Sequence, residues 1–325
     1  MSRKLDIILT SSSIRRFYDC RRRYYYEYVM RLTPRIKPAY FEWGSLVHRC
    51  FELLEKGFTL KDTLTTLLDE NKSGNWSEDL KRRNHGWISI LPKLVLGYQS
   101  VYGAQEKDEY ETLQSEQEFN LLLDETPEYR AIFRGKRDAL KRHKKTGEVV
   151  LWERKTASQT GDSYWENVAW DPQPKSYLLS MQLEQGIKPS CVVYDVIKKP
   201  LLKQKPGELD SIYNGRIALA YIEDKYFERK KIYFTPQVIE AHYRWLRRAA
   251  QELYYCYSEG QWNEYHLNQR WPCEYRVLCP SGGGEENEHS LSLFDNRRAD
   301  EINPELSLFC DSNLVQVTFE GSEIK

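Results

Sequence analysis

Glu153 and Lys155 are the side chains whose types and spacing are best suited to chemistry. They lie in the run from Val149 to Thr156, whose apolar residues predict a β-strand. Side chains two residues apart in a strand point to the same face, so we expect this carboxylate and this ammonium side by side, with Arg154 on the other face. Taken alone, such a pair is typical of a cross-strand ion pair on a protein surface.

A second predicted strand, from Ala131 to Leu140, adds another carboxylate. A turn-like segment, residues 144–148, joins the two strands, and a hairpin between them places Asp138 near Glu153. Two neighbouring carboxylates repel each other unless a divalent cation neutralises them, and Mg²⁺ is usually held by one or two carboxylates, waters and phosphate oxygens. A lysine beside them can orient or deprotonate an attacking water. The combination is suited to metal-assisted hydrolysis of phosphodiester bonds.

The composition sets broad limits on the kind of protein. The chain has 325 residues, enough for one large domain or two, with 48 basic and 48 acidic residues. Because the net charge is zero, any basic surface for nucleic acid must be local. The first ten residues contain no signal-peptide core, and no apolar run approaches the ~18 residues of a membrane helix, so we expect a soluble, cytoplasmic protein. Seven cysteines, an odd number, argue against a disulfide framework.

Helical periodicity and cap residues predict the elements around the two strands. Ser11 to Ser13 can cap an N-terminal helix, and a second amphipathic helix carries His48 beside its apolar stripe, where a histidine is more often a packing residue than a ligand. Asp171 and Pro172 begin a further helix. Residues 60–104 and 236–258 are also predicted to be helical, and residues 116–122 and 191–197 are predicted strands.

The arginines of the N-terminal helix are a candidate phosphate-binding surface. The alternative is an ordinary solvated helix face. These arginines are Arg15, Arg16, Arg21, Arg22 and Arg23.

Several short motifs, taken in order, resemble one family. After the arginine-rich helix come Gly44-Ser-Leu-Val-His48, Gly135-Lys-Arg-Asp138, Glu153-Arg-Lys155, Gln173-x-x-x-Tyr177 and a late pair of cysteines. Each motif alone is weak, but their order over roughly residues 10 to 280 resembles the RecB-type branch of the PD-(D/E)xK nuclease superfamily, which includes CRISPR-associated and phage exonucleases. The bottom-up interpretation agrees on the acidic pair and the lysine, and by itself does not single out His48 or Gln173.

The resemblance implies a fold and a division of the chain. The fold is an α/β, restriction-endonuclease-like one, with a mixed central sheet flanked by helices and a C-terminal helical segment that folds back toward Cys20. Residues 1–280 would form the nuclease domain, with a helical insertion at about 55–110, and residues 281–325 would form a flexible acidic tail.

The resemblance also implies roles for the site residues. His48, Asp138, Glu153 and the backbone carbonyl of Arg154 would bind Mg²⁺ or Mn²⁺, and Lys155 would activate the water or stabilise the charge of the phosphorane. Two further residues, Gln173 and Tyr177, would position the site against the DNA backbone, aided by Arg15, Arg16 and Arg22.

The implied function is a metal-dependent deoxyribonuclease, more specifically an exonuclease, in bacterial or phage DNA recombination, repair or replication. The alternative is a nuclease-derived DNA-binding or assembly subunit without catalysis. The retained acidic pair and lysine count against that alternative, because a decayed site tends to lose one of them.

Some members of the branch hold a 4Fe–4S cluster, with one N-terminal cysteine and three C-terminal ones. Cys20, Cys273 and Cys279 match three such positions, Arg270 stands where a further ligand is expected, and Cys310 is a distant substitute. Four thiolates are the usual requirement. The cysteines could also hold zinc with another ligand, or be ordinary packed thiols.

The last part of the chain contains two similar pentapeptides after a linker rich in glycine and glutamate. They resemble the clamp-binding motif of bacterial replication proteins without its leading glutamine, and on a disordered tail their apolar side chains could fill a groove on a sliding clamp or another recombination partner. The alternative is that the second copy begins a final strand running through Val315, Val317 and Phe319. The side chains concerned are Leu291, Leu293, Phe294, Leu306, Leu308 and Phe309.

Overall fold

A mixed β-sheet forms the centre of the fold, in a computed structural model that describes residues 4–35, 40–74, 78–222, 226–262, 273–280, 283–296 and 315–316. Numbered along the chain, the strands are β1 (Leu5–Leu9), β2 (Leu32–Pro34), β3 (Tyr110–Glu125), β4 (Tyr129–His143), β5 (Val149–Ala157), β6 (Val192–Lys198), β7 (Phe227–Ile232), β8 (Phe294–Asn296) and β9 (Val315–Gln316).

The order across the central sheet is β7-β6-β5-β4-β3-β9, and β1 runs parallel to the first part of β4. The neighbours β3 and β4 are antiparallel, as are β4 and β5, whereas β5 and β6 are parallel. The pairing of β4 with β1 ends at Phe133, and its pairing with β5 begins only at Ala139. Residues 134–138 therefore lie where β1 and β5 diverge along one edge of β4. The candidate site lies in this opening.

Helices cover both faces of the sheet. They are α1 (Ser11–Asp19), α2 (Arg21–Tyr24), α3 (Tyr40–Glu55), α4 (Leu60–Ser73), α5 (Glu78–Tyr98), α6 (Ala104–Glu109), α7 (Asp162–Val168), α8 (Pro172–Gln185), α9 (Asp210–Ile222), α10 (Pro236–Glu259) and α11 (Glu288–Leu291), with π-helical turns at Tyr25–Val29 and Gln99–Gly103. One apolar core packs α1, α8 and α10 against the sheet, and a second packs α3, α4, α5 and α9 on the other side. The predicted α/β fold, a mixed sheet flanked by helices, is confirmed.

The helix that carries Gln173 begins where the sequence predicts. The side chain of Asp171 accepts a hydrogen bond from the Gln173 N–H at 3.0 Å, and Pro172 occupies the first helical position. Gly186 then ends the helix in the left-handed conformation, at φ 65°. The cap fixes the register of α8, and thereby the faces on which its side chains lie.

The helices α4 and α5 lie between α3 and β3, at the place of the predicted helical insertion. Within the part of the chain that the structure describes, none of the helices combines the length and the apolar character needed to cross a membrane.

The segment 283–296 differs from the flexible linker that its composition predicts. Its strand β8 pairs antiparallel with β2, and Tyr26 donates a hydrogen bond to the Glu286 carboxylate at 2.6 Å. Phe294 is only 6% exposed and stacks on Tyr275 at 5.4 Å between ring centroids. The apolar side chains that resemble a clamp-binding motif are here used in part for the fold, because Phe294 belongs to a small core.

The other clamp-motif side chains are less informative. Leu293 is exposed at 47%, and Leu291 packs at the edge of the core that contains Phe294. Leu306, Leu308 and Phe309 lie outside the described residues. Clamp binding through the second pentapeptide therefore stays a prediction.

Candidate active site

The two predicted carboxylates lie together at the opening beside residues 134–138 of β4. Asp138 immediately precedes the first β4–β5 pair, Ala139 with Trp152, so in antiparallel register it lies across from Glu153. The Asp138 Oδ2 atom accepts a hydrogen bond from the backbone N–H of Arg154 at 2.7 Å. Asp138 and Glu153 therefore lie close together at the opening in the sheet, near enough for the Asp138 charge to act on Glu153.

Glu153 is a fully buried carboxyl group whose oxygens are only partly satisfied by polar partners. Its side chain has 0% exposure, its Oε1 atom lies against the Lys155 Nζ atom, and its Oε2 atom has no hydrogen-bond partner among the described residues. Burial raises the pKa of Glu153 to about 8, with Lys155 lowering it and the Asp138 charge raising it further. A buried carboxylate in this condition is stabilised by a nearby cation.

Lys155 lies between Glu153 and α8. Its Nζ atom donates a hydrogen bond to the Gln173 Oε1 atom at 2.7 Å and also pairs with Glu153. Burial alone would lower the pKa of Lys155, but the carboxylates of Glu153 and Asp138 outweigh it, so the pKa is raised. Lys155 is consequently an ammonium at neutral pH.

His48 reaches the opening from α3. Its Nδ1 atom lies 3.7 Å from the Asp138 Oδ1 atom. Burial lowers the pKa of His48; Asp138 opposes this shift, and Lys155 and Arg154 add to it. The imidazole is therefore neutral at pH 7, which is the form that binds metals.

The donor set is suited to a hard divalent cation. His48, Asp138 and Glu153 offer one imidazole nitrogen and carboxylate oxygens, a set that suits Mg²⁺ or Mn²⁺. Among the described residues, no three His, Cys, Asp or Glu side chains are close enough to form a metal-binding group. The Arg154 N–H and the Lys155 ammonium compensate the carboxylates instead. The donors nevertheless fit the ion in type, because Glu153 keeps a buried oxygen without a hydrogen bond.

Gln173 and Tyr177 form a chain of hydrogen bonds that begins at Lys155. The Gln173 Nε2 atom donates to the Tyr177 hydroxyl at 2.7 Å, while its Oε1 atom accepts from Lys155. Tyr177 is only 2% exposed and packs edge-on against Phe119. The predicted contact of Tyr177 with DNA differs from this placement, since its ring is buried and its hydroxyl holds Gln173 toward Lys155.

A family model for the PD-(D/E)XK nuclease superfamily matches residues 8–280, most of the chain. The chain belongs to the PD-(D/E)XK nuclease superfamily. The predicted resemblance is thereby confirmed, and membership supports a nuclease, a hydrolase that acts on nucleic acid. PD-(D/E)XK nucleases generally use divalent metal ions. No curated protein sequence matches the chain.

Solved structures resemble this PD-(D/E)XK chain at low identity. A candidate exonuclease from Eubacterium rectale is 12% identical, with 85% of this chain and 87% of that chain covered and a TM-score of 0.45. The protein SSO0001 is 16% identical, with 67% of this chain and 94% of that chain covered and a TM-score of 0.34. At such identities and TM-scores, neither structure adds to what the family model shows.

The predicted phosphate-binding arginines of this PD-(D/E)XK protein have different surroundings. Arg15 has a half-exposed side chain near the site and pairs with Asp171 at 2.8 Å. Arg16 instead pairs with Glu27 at 2.5 Å, and Arg22 lies 3.6 Å from Glu286 and over the Tyr25 and Tyr26 rings. Arg16 and Arg22 therefore hold parts of the fold together, and a role for them in DNA binding would require these ion pairs to open.

The cysteines assigned to a cluster lie near the start of α2 and in the small core beside it, and both Cys20 and Cys273 lie close to Arg23. Cys20 is buried, and its sulfur accepts a hydrogen bond from the Arg23 N–H at 3.4 Å, which caps α2. Cys273 and Cys279 lie in the small apolar core of Tyr26, Tyr275 and Phe294. No group of three possible metal ligands is found among the described residues, and an iron–sulfur or zinc site at these cysteines stays a prediction. Cys310 lies outside the described residues.

Glu116 is a site neighbour that the sequence does not reveal. It lies on β3 opposite Asp138 of β4 and pairs with Lys136 at 2.5 Å. Its backbone φ of 53° is rare for a residue with a side chain. Burial raises the pKa of Glu116 to about 7; the Lys136 hydrogen bond lowers it and the Asp138 charge raises it. The register of β3 against β4 is the only signal that could locate it, and this register follows from tertiary pairing.

Proposed function

We propose that the protein is a Mg²⁺- or Mn²⁺-dependent deoxyribonuclease, and specifically an exonuclease, that hydrolyses phosphodiester bonds in DNA recombination, repair or replication. One observation carries the proposal. Asp138, Glu153 and Lys155 lie together at the opening in the sheet, with His48 at 3.7 Å from Asp138 and a buried Glu153 oxygen without a hydrogen bond. This is the donor set for a hard cation with an ammonium beside it.

The cation, when bound, would supply Lewis-acid polarisation of the scissile phosphate and a lowered pKa of an attacking water. His48, Asp138 and Glu153 would hold it, and the Arg154 carbonyl is a further predicted ligand. The resemblance leaves two roles open for Lys155. Because its pKa is raised, Lys155 keeps its proton at neutral pH and stabilises the negative charge that develops on the phosphorane.

Gln173 orients the Lys155 ammonium. It accepts from Lys155 on one side and donates to Tyr177 on the other, so a buried tyrosine fixes its orientation. Gln173 therefore acts as a positioning residue, and it is close enough to the site to contact a phosphate of the bound strand.

The test compares purified protein on linear and covalently closed circular DNA, with Mg²⁺, with Mn²⁺ and with EDTA. We expect linear DNA to be degraded from its ends with either metal, and closed circles and EDTA samples to stay intact. Glu153→Gln and Lys155→Met should each lower the rate by about 10²-fold or more, since the first weakens a ligand of the cation and the second removes the ammonium that stabilises the phosphorane.

Matched controls are Glu111→Gln, which removes a half-exposed carboxylate paired with Arg142, and Lys145→Ala in an exposed turn. Both should cleave like the parent protein. Intact linear DNA in the presence of metal would contradict the enzymatic function and favour a DNA-binding subunit. Equal cleavage by the parent, Glu153→Gln and Lys155→Met proteins would show that another site or a contaminant is responsible.

A further inference from the structure

A cavity of about 960 Å³ opens beside Lys155, which belongs to its lining. Gln173 also lines it, and the helices α1, α8 and α10 contribute to its walls. The volume is at the upper end of the range for binding pockets in proteins. Because Lys155 belongs to its lining, whatever occupies the cavity continues directly into the candidate site.

Aromatic side chains form much of the cavity wall. Trp170, in the turn between α7 and α8, is 81% exposed, the highest value among the exposed large hydrophobic side chains described. On another part of the wall, Tyr18 stacks on Trp245 at 5.5 Å, with an angle of 26° between the rings. Single exposed apolar residues are common on proteins. An exposed indole in a cavity that also contains Lys155 is a surface on which a planar group can stack.

The charges of the lining suit a polyanion. Its cations are Arg15, Lys155 and Lys175, against the carboxylates of Asp19 and Asp171. Arg15 and Asp171 pair with each other at 2.8 Å, and Asp171 also accepts from the Tyr194 hydroxyl at 3.2 Å, so Lys155 and Lys175 are the cations left to contact a phosphate.

His242 adds no charge to the cavity. Burial lowers its pKa to about 3, and its Nε2 atom lies 2.8 Å from the Ser176 hydroxyl. The lining therefore offers planar apolar surface together with cations for phosphates.

We propose that this cavity binds a single-stranded DNA segment that leads to Lys155, and that Trp170 stacks on one of its bases. This inference rests on the proposed nuclease function and specifies its substrate. Bases of a duplex are stacked on each other and offer no free face, whereas each unpaired base can stack on an aromatic side chain. The exposed indole thus selects for an unpaired strand, and the cations of the lining contact phosphates without reading sequence.

The test measures binding in EDTA, so that cleavage is not needed. Fluorescence anisotropy gives the Kd of a labelled single-stranded oligothymidylate and of a blunt hairpin duplex of equal charge. We expect Trp170→Ala to weaken single-strand binding by about tenfold, since stacking of one base is typically lost with the side chain. Trp170→Phe should retain most of the affinity, and duplex binding should hardly change in either variant.

Tyr255→Ala is the matched control, because Tyr255 is an aromatic side chain of α10 that is 53% exposed and is absent from the cavity lining. It should bind both probes like the parent. Unchanged single-strand binding by Trp170→Ala would overturn the inference, and so would an equal loss on both probes. If Trp170→Ala selectively loses single-strand binding but the parent never cleaves with metal, the proposed nuclease function fails and the cavity assignment stands. If the parent cleaves and Trp170→Ala binds normally, only the cavity assignment fails.

Discussion

Replacement of the buried carboxylate of Glu153 should change how stability depends on pH. Glu153 is fully buried, and burial raises its pKa from an ordinary value of 4.5 to about 8. In the unfolded chain the same group titrates near its ordinary value. Glu153→Gln keeps the size of the side chain and removes the titration, so the two proteins differ in this one proton.

The sign follows from which state binds the proton. Between pH 4.5 and about 8, folded Glu153 keeps its proton while the unfolded chain has released it. The unfolded state then binds fewer protons, so the free energy of unfolding falls as pH rises through this window. Each pH unit within it removes about 1.4 kcal/mol, hence about 3 kcal/mol between pH 5.5 and 7.5. This contribution is fully present at low pH and is lost toward pH 8.

The assay is urea unfolding in EDTA at several pH values from 5.5 to 7.5. Glu116 also titrates in this range, but both proteins contain it, so the difference between the two unfolding free energies reports the proton of Glu153. From pH 5.5 to pH 7.5, we expect the free energy of unfolding of the variant to rise by about 3 kcal/mol relative to that of the parent. A difference that does not change with pH would refute the idea that burial holds the proton on Glu153.

Added Mg²⁺ should reverse the trend in the parent, because an ion binds the ionised carboxylate and metal affinity rises with pH. At a hundred times its Kd, the ion stabilises the folded state by about 3 kcal/mol. We expect this gain near pH 7.5, a smaller one at pH 5.5 and little in Glu153→Gln. Equal Mg²⁺ stabilisation of both proteins would remove Glu153 from the set of ligands.

Two other substitutions test the support of the site. In Gly135→Ala, the new Cβ would meet the Phe119 ring at 2.5 Å and the Tyr177 ring at 3.2 Å. We expect the free energy of unfolding, measured by thermal unfolding, to fall by about 1–3 kcal/mol. Gly215→Ala is the control and should cause no loss, because no neighbouring atom lies within 4 Å of its new Cβ. Asp195→Asn removes a fully buried charge that lies 3.1 Å from Arg229 and 3.8 Å from Arg154. It should lower the free energy of unfolding in urea by about 3–5 kcal/mol. A loss below about 1 kcal/mol would contradict a stabilising role for the ion pairs of Asp195 with these two arginines.

Local sequence signals predicted the strands and helix that carry the core of the site. The apolar run around Glu153 became β5, and the Asp171-Pro172 start became α8, because both signals act within a few residues. The two-residue period of a strand was enough to place Glu153 and Lys155 together. The convergence of Asp138 needed only the hairpin pairing of β4 with β5.

Features that depend on distant partners could not be predicted in the same way. Nothing near Arg16 in the sequence indicates that it pairs with Glu27 rather than with phosphate. Tyr177 is polar at one end, and only the packing of Phe119 and α8 decides that its ring is buried. Phe294 lies in a stretch whose composition predicts a flexible tail, yet pairing of β8 with β2 buries it. In each case tertiary contacts, which the local pattern does not encode, determine the outcome.

Arg154 connects the two halves of the site, although its side chain faces away from it. On the far face of β5, its guanidinium donates to Glu55 at 3.0 Å and lies over the Phe51 ring at 4.2 Å. Glu55 is seven residues after His48, about two turns along the same face of α3, so this buried ion pair holds the helix that carries the imidazole. The alternation that points Glu153 and Lys155 into the site necessarily points Arg154 at α3. Three consecutive residues therefore supply the charges of the site and fix the position of His48 relative to them.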